Sequence, residues 1–444
     1  MKKQALIPVI YALVLSSCSV NSLSSFDSSK DPTSSLNSIS SSIETKLNAF
    51  QLNEPHKEFN TEKTTLNNDY VNAVQNFTTS FYQQIYNDKN HIFSPVSIAT
   101  CFSMLYEGAN GSSKEELKSL LNYDENLFNH LEQVQKMLLI EAINDEKEDT
   151  YLDIAQSLWI DESFKNEIKQ TYVDTLTNYY YAEAFGGVLK SDQMHEALAN
   201  YINKKTNNFL EVKPEDFKDY GGLLWLLNTI YLKSKWSTQF DGSANKDGEF
   251  NNFDGSKGNV TYMNETMYGH IRQKEEYKIS SLYLRNGICF NMLLPNEGSD
   301  YHSVLTSQSA LRALYSFAGY SAIDSSIKRI HYQVPQFKEK QSYDLKDILL
   351  EMGVTNIFDE DLANLSDIAV LSNGNNIYVG NAKHEAGIAV DNEGIEAAAY
   401  TLISVDEALA LQDPPIEFVL DRPFAYCISD LTGIPLFVGV VNKL

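Results

Sequence analysis

Hydrophobic and polar positions alternate with two different periods along this chain. In "NAVQNFTTSFYQQIYN" the spacing of Val74, Phe77, Phe81 and Ile85 predicts a helix with one apolar face, so ordered structure is expected to begin near Asn67. In "FSPVSIATCFSMLYEGANG" Ser94 can cap a helix that has Pro95 in its first turn, Ile98, Phe102 and Leu105 as its inward stripe, and the Gly108–Gly111 stretch as its end. Ser113 and Glu116 then have the spacing of a capping box for a further helix. "GGLLWLLNTIYLKSKW" is a nearly continuous apolar run, which suits a strand covered on both faces, and Asn228 within it needs hydrogen-bond partners. "ICFNMLLPNEGS" reads as another buried strand, and "VPQFKEKQSYDLKDILLEMGV" as a strand followed by a helix that Gly353 stops. "RPFAYCISDLTGIPLFVGVV" reads as two strands around a Thr432–Gly433 turn. Helices and strands interleave without a regular βαβ rhythm and without an internal repeat, which predicts an α+β fold.

One stretch conflicts with itself. From Asp391 to Pro415, "DNEGIEAAAYTLISVDEALALQDPP" has the composition of a helix. Its period is nevertheless two: Ile395, Ala397, Ala399, Thr401, Ile403 and Val405 are small, apolar or β-branched, while Glu396, Ala398, Tyr400, Leu402, Ser404 and Asp406 form a mixed, partly charged set. Disagreement between pattern and propensity marks a segment that changes state, and such conflicts cluster at functional sites.

Composition narrows the partners. Of the 444 residues 43% are hydrophobic, ample for a packed core, and 59 Asp and Glu against 35 Lys and Arg give a net charge of −24. That charge repels phosphate backbones and anionic headgroups, so nucleic acid is not an expected partner. The start, "MKKQALIPVIYALVLSSC", has two lysines and an apolar run too short to span a bilayer, the pattern of a signal peptide. Its "LSSC" ending resembles the bacterial lipoprotein signal, which implies removal of residues 1–17 and acylation of Cys18, for instance with palmitate. Half of the residues from Ser19 to Ser42 are serine, so residues 18–66 read as a flexible tether with a mean span of about 35 to 40 Å. An exported, lipid-anchored protein at the bacterial cell membrane or envelope is expected, its folded domain of residues 67–444 facing outside and touching the membrane through the lipid alone. Cys101, Cys289 and Cys427 sit in apolar sequence without close spacing, which argues for buried thiols and against a disulfide framework or a metal site.

Catalytic motifs do not emerge. His195–Glu196 and His384–Glu385 lack the second histidine of a zinc helix, and there is no GxSxG elbow, Walker loop or GxGxxG. No cofactor or metal is implied. His384 stands apart from the other histidines because it directly precedes the self-conflicting stretch, where its ring could satisfy a buried polar group such as Asn228.

Six motifs in order, "FSPVSIA", "LNTIYLKSKW", "LLPNEG", "VPQFKEKQSYDLKDILLEMGV", "HEAGIAVDNEGIEAAAYT" and "RPFAYCISDLTGIPLFVG", closely resemble the serpins, the serine protease inhibitor family, from about Asn67 to Leu444. The resemblance implies three β-sheets with eight or nine helices and an exposed reactive-centre loop. It also implies a protease inhibitor, not an enzyme: a monomer that acts as a suicide substrate of serine endopeptidases, with cysteine endopeptidases as a second class. By position the loop hinge is Asn392, Glu393, Gly394, Ile395, Glu396, Ala397, Ala398, Ala399, Tyr400 and Thr401. Ser94, Ser97, Asn228 and His384 match the polar cluster beneath the central sheet where its strands part, and Trp236 matches the tryptophan near the start of loop insertion. Counting along the loop places the reactive bond at Ala408–Leu409, with Glu407, Leu409 and Leu411 as competing positions before the cut, and alanine there suits a target protease with an elastase-like or other small apolar pocket. Ile395 stands where the family commonly has threonine or serine, and Tyr400 where a small residue is common. Two other readings follow from the same residues. A non-inhibitory serpin-fold binding protein would keep the motifs, and a lipid-anchored solute-binding protein would explain the signal and tether but predicts two similar α/β lobes.

Overall fold

The computed structural model describes residues 65–140, 143–145, 150–218, 222–317, 326–395 and 414–444. Among these residues there are nine α-helices: α1 Asn68–Ile85, α2 Pro95–Gly108, α3 Gly111–Leu121, α4 His130–Ile140, α5 Gln170–Tyr179, α6 Asp192–Lys205, α7 Tyr301–Thr306, α8 Gln308–Tyr315 and α9 Leu345–Glu351. The strands, in chain order, are β1 His91–Phe93, β2 Ile143–Asp145, β3 Thr150–Asp161, β4 Glu183–Gly187, β5 Leu224–Lys235, β6 Lys246–Asn251, β7 Lys257–Gln273 and β8 Tyr277–Tyr283. They continue as β9 Cys289–Pro295, β10 Ser326–Pro335, β11 Phe337–Asp344, β12 Lys383–Val390, β13 Gly394–Ile395, β14 Ile416–Val419, β15 Phe424–Ser429 and β16 Pro435–Val441.

These strands form three hydrogen-bonded sheets among the described residues. The largest has nine strands in the order β1-β16-β15-β9-β8-β7-β10-β14, with β6 on β7. A second has the order β13-β5-β3-β2 with β4 on β3, and a third is the pair β11-β12. The architecture is α+β, as expected from the sequence, and among the described residues these sheets do not form two similar α/β lobes.

Local sequence explains most of these elements. Asn67 caps α1, accepting from the Asp69 N–H at 2.7 Å, and Val74, Phe77, Phe81 and Ile85 are all buried. Ser94 caps α2 and Pro95 opens it. Nearly every residue of α2 is buried, as befits a helix that lies between β5 and the largest sheet's β16. Gly433 takes φ 88° in the turn joining β15 to β16, a conformation that favours glycine. Cys101, Cys289 and Cys427 are free and buried, and burial pushes the first two thiols up to about 12.

The proposed capping box is overturned. Helix α3 starts earlier, at Gly111, with Asn110 at its N-cap and no side-chain cap bond. Ser113 and Glu116 serve a tertiary contact instead. The Ser113 hydroxyl accepts from the Asn364 N–H at 2.9 Å, and the Glu116 carboxylate accepts from the N–H groups of Thr355 and Asn356 at 3.0 and 2.8 Å. A box and a tether use the same acceptors, and only the chain that packs alongside decides between them.

Candidate functional site

The site is built around two strands, β5 and β12, that share no ladder among the described residues. β5 pairs with β3 along one edge, from Tyr151↔Lys233 to Ile160↔Leu224, and β12 pairs with β11 along one of its own. Among the described residues the other edges of β5 and β12 share no ladder. At one end of the gap the chain leaving β12 turns back, the Asp391 N–H bonding the Gly394 carbonyl at 3.2 Å. It then enters as β13, antiparallel to β5, with Gly394 opposite Lys235 and Ile395 opposite Ser234.

Several side chains hold this turn. The buried Trp236 donates its indole N–H to the Asp391 carbonyl at 2.8 Å, and its backbone N–H to the Glu393 carbonyl at 3.1 Å. Its ring is fixed edge-on against Phe240 and Phe290. Asn392 and Asn245 exchange amide hydrogen bonds at 2.8 Å, and the Gln336 amide also donates to Asn392. The Asp391 carboxylate accepts from the Glu393 N–H at 2.9 Å. Glycine at 394 is a matter of close approach, since a Cβ there would lie 2.3 Å from the Ser234 carbonyl oxygen and 2.7 Å from the Lys235 Cα. Ile395 is fully buried.

Midway along the gap lies a different arrangement. Ser94, Ser97, Asn228 and His384 are all fully buried and close together. The Ser97 hydroxyl donates to Asn228 Oδ1 at 2.5 Å, the Ser94 N–H donates to His384 Nε2 at 2.9 Å, and the Ser97 N–H donates to the Ser94 hydroxyl at 3.3 Å. Asn228 belongs to β5 and His384 to β12, so both strands are tied to the N-terminus of α2 and not to each other. His384 therefore meets Ser94 and not Asn228, a correction to the expected partner: with the strands parted, the helix end is the nearer donor. Its ring stacks on Tyr343 with centroids 6.2 Å apart, and burial lowers its pKa to about 3. Accepting at Nε2 requires the neutral tautomer with its proton on Nδ1. Among the described residues, that Nδ1–H and the Asn228 Nδ2–H are buried donors with no acceptor.

Trp236 does not belong to this cluster. It lies eight residues beyond Asn228 on the same run of chain, roughly 26 Å away at ~3.3 Å per residue. The structure thus divides the sequence-based candidates into a turn at the end of the gap, with Asn392, Glu393, Gly394, Ile395 and Trp236, and a polar cluster at its middle. Glu396, Ala397, Ala398, Ala399, Tyr400, Thr401, Ala408, Leu409 and Cys18 fall outside the described residues. Sequence reasoning missed Asn245, Gln336 and Asp391. Only Asp391 carried a signal, the turn-forming Asp-Asn pair just after an apolar strand.

Comparison with known proteins agrees with this geometry. The family model described as "Serpin (serine protease inhibitor)" matches residues 72–444. Human neuroserpin is 29% identical over 395 residues, which cover 83% of this chain and 90% of that protein. The crystal structure of the thermophilic serpin Tengpin in its native state superposes with a TM-score of 0.72 at 20% identity, covering 86% of this chain and 96% of that one. Thyroxine-binding globulin in complex with thyroxine superposes with a TM-score of 0.66 at 22% identity, covering 84% and 98%. The chain belongs to the serpin family, whose function is in general protease inhibition.

Proposed function

We propose that this serpin is an irreversible suicide-substrate inhibitor of serine endopeptidases, and of cysteine endopeptidases by the same trap, with its reactive bond at Ala408–Leu409. A protease serine attacks the loop carbonyl and forms an acyl-enzyme, as with any substrate. Cleavage frees the segment that begins at Gly394, which enters the gap as a strand between β5 and β12. The protease, still esterified to the loop, is dragged along and distorted before water releases it.

The observation that carries this reading is the pair of unladdered edges facing each other across the gap, with Gly394 and Ile395 already bonded to β5. Continuing that register down β5 would form roughly a dozen further hydrogen bonds worth about 0.5 to 1.5 kcal/mol each. The sum, on the order of ten kcal/mol, is enough to disturb a protease active site. The buried Ile395 sets the face: with a period of two, Ala397, Ala399, Thr401, Ile403 and Val405 would follow it inward, and none of them carries a charge. The same register would bring Thr401 opposite Asn228, where two buried donors await an acceptor. Alanine at 408 suits elastase-like or subtilisin-like targets.

Mixing the protein with pancreatic elastase or a subtilisin is expected to give a covalent complex that survives boiling in detergent. The loop-cleaved chain is expected to melt well above the intact one. A cleaved loop beside fully active protease, with no gain in melting temperature, would overturn the inhibitory reading in favour of a binding protein with the serpin fold, the second reading that the thyroxine-bound neighbour favours.

The location belongs to the same proposal. Acylation of Cys18 after removal of residues 1–17 would anchor the protein to the bacterial envelope, with residues 18–66 as tether and the domain outside. Cys18→Ser should abolish incorporation of labelled palmitate and release the protein from the membrane fraction; retention of the label would overturn the anchor.

A further inference from the structure

Three asparagine–glycine pairs occur in the chain, Asn110–Gly111, Asn286–Gly287 and Asn373–Gly374. Such a pair carries its own chemistry: with no Cβ on the glycine in the way, the glycine amide nitrogen can attack the asparagine Cγ. Local sequence ranks the three alike, and their tertiary settings do not. Asn110 is half-buried at the start of α3. Its side-chain amide donates to the Ser366 hydroxyl at 3.0 Å, its N–H donates to the Asn364 carbonyl at 2.8 Å, and its carbonyl accepts from the Lys114 N–H at 3.3 Å. Asn286 lies in the tight turn Arg285–Gly287 between β8 and β9, which the Leu284 N–H closes on the Ile288 carbonyl at 2.8 Å. Both backbones are pinned.

Asn373–Gly374 is set differently. Beyond the polar cluster, toward the start of β5, the gap widens into a cavity of about 380 Å³, one wall of which is formed by Leu371 and the stretch from Asn376 to Lys383. Between them residues 372–375 form an exposed turn, in which Gly374 takes φ 80° and its N–H donates to the Leu371 carbonyl at 3.0 Å. The Asn373 side-chain carbonyl accepts from the Asn375 N–H at 3.0 Å. That ring brings Cγ toward the Gly374 nitrogen and polarises the carbonyl under attack. The Gly374–Leu371 bond has to open first, at a net cost of about 0.5 to 1.5 kcal/mol. Tethers bound the turn on both sides. Ser372 donates its N–H and hydroxyl to the Glu167 carboxylate at 3.3 and 2.7 Å, and the Asn376 amide donates to the carbonyls of Glu360 and Asp361 at 3.2 and 3.1 Å.

We propose that Asn373 is a site of spontaneous deamidation in the folded protein. Hydroxide takes the Gly374 N–H proton, the nitrogen bonds to Asn373 Cγ, and the side-chain nitrogen leaves as ammonia with a proton from water, which restores the hydroxide. Water then opens the five-membered imide at either carbonyl, leaving isoaspartate or aspartate. The net reaction takes up one water, releases one ammonia and adds one negative charge. That charge arrives one residue from Ser372, whose tether partner is the Glu167 carboxylate, and like charges so placed weaken the tether.

The full chain is aged in mildly alkaline buffer, and the peptide spanning each pair is followed by mass spectrometry, deamidation adding one dalton and isoaspartate separating from aspartate by retention time. In the folded chain Asn373 is expected to convert at least tenfold faster than Asn110 and Asn286, and in urea the three should convert at similar rates. Gly374→Ala should slow the reaction at least tenfold. Asn373→Gln, whose attack would need a six-membered ring, should abolish the mass gain in that peptide should the strained alanine variant fail to fold. Conversion of Asn110 or Asn286 as fast as Asn373 in the folded chain, or a mass gain that persists in either folded variant, overturns the site. The same tenfold spread in urea overturns the role of the fold. Asn373→Asp should speed amide exchange at Ser372 several-fold, and unchanged exchange there overturns the weakened tether.

Discussion

At one end of the gap the chain holds β5 through its backbone, Gly394 and Ile395 pairing with Lys235 and Ser234, whereas at the middle the described contacts on the facing side of β5 and β12 run through side chains, Asn228 and His384 each bonded to the start of α2. The two grips differ in what they demand. Backbone pairing tolerates many side chains and can be extended residue by residue, as long as nothing bulky stands at Gly394 and nothing charged points inward. The polar cluster depends on four particular side chains, and among the described residues it leaves two buried donors without an acceptor. Under the proposed insertion, a strand that starts at the first site and runs to the second would gain at both, which would make the two sites the beginning and the waypoint of one path.

The largest test of this comparison lies on the path itself. On the proposed inhibitory reading, Ala397→Arg or Thr401→Arg should turn the protein into a mere substrate, shifting the partition toward cleavage at least tenfold, because an unpaired guanidinium would have to enter the core at a penalty of several kcal/mol. Arginine variants that trap elastase as well as wild type would show that the inward face is wrongly assigned.

Acid tests the cluster. The folded-state pKa of His384 is lowered to about 3 and that of His91 to about 4, both mainly by burial. The unfolded chain therefore binds more protons between pH ~6.5 and those values, so the stability these rings contribute is fully present above pH ~6.5 and is lost as pH falls through that window. With one pKa unit worth about 1.4 kcal/mol, the loss is on the order of a few kcal/mol. Melting temperatures measured from pH 7.5 to 4 should fall accordingly, and His384→Gln should flatten the profile; an unaltered slope in that variant would remove His384 as a cause.

Smaller effects separate the two grips. Asn228→Ala removes the acceptor of the buried Ser97 hydroxyl and should destabilise the protein by about 1 to 3 kcal/mol, read as a fall in melting temperature. Trp236→Phe loses the bond to the Asp391 carbonyl, worth about 1 kcal/mol, together with part of the buried indole, and should speed amide exchange around Glu393 and Gly394 more than around Asn228. Were Trp236→Phe to speed exchange around Asn228 as much as around Gly394, the turn and the cluster would not be separate sites.

Much of this arrangement can be read before any folding. The cap at Ser94, the stripe Ile98–Phe102–Leu105, the covered strand around Asn228 and the turn at Gly433 follow from periods and caps that operate within a few residues. The demand that Asn228 find a partner is likewise local, since any buried amide makes it. Its identity is not. Ser97 reaches it across 131 residues, and Ser94 reaches His384 across 290. Ser113 and Glu116 show the reverse case, a valid local signature whose acceptors were taken by a segment more than two hundred residues away.

The amino-acid sequence by itself determined which stretches become helix or strand, which faces are apolar, and that one segment carries a strand's pattern in a helix former's composition. The tertiary structure alone decided that β5 and β12 stand apart, that both lean on one helix end, and that a cavity opens beyond them. Periodicity and capping act over distances of one or two turns, whereas partner choice and empty space arise only where remote segments cross, and no single segment encodes that crossing.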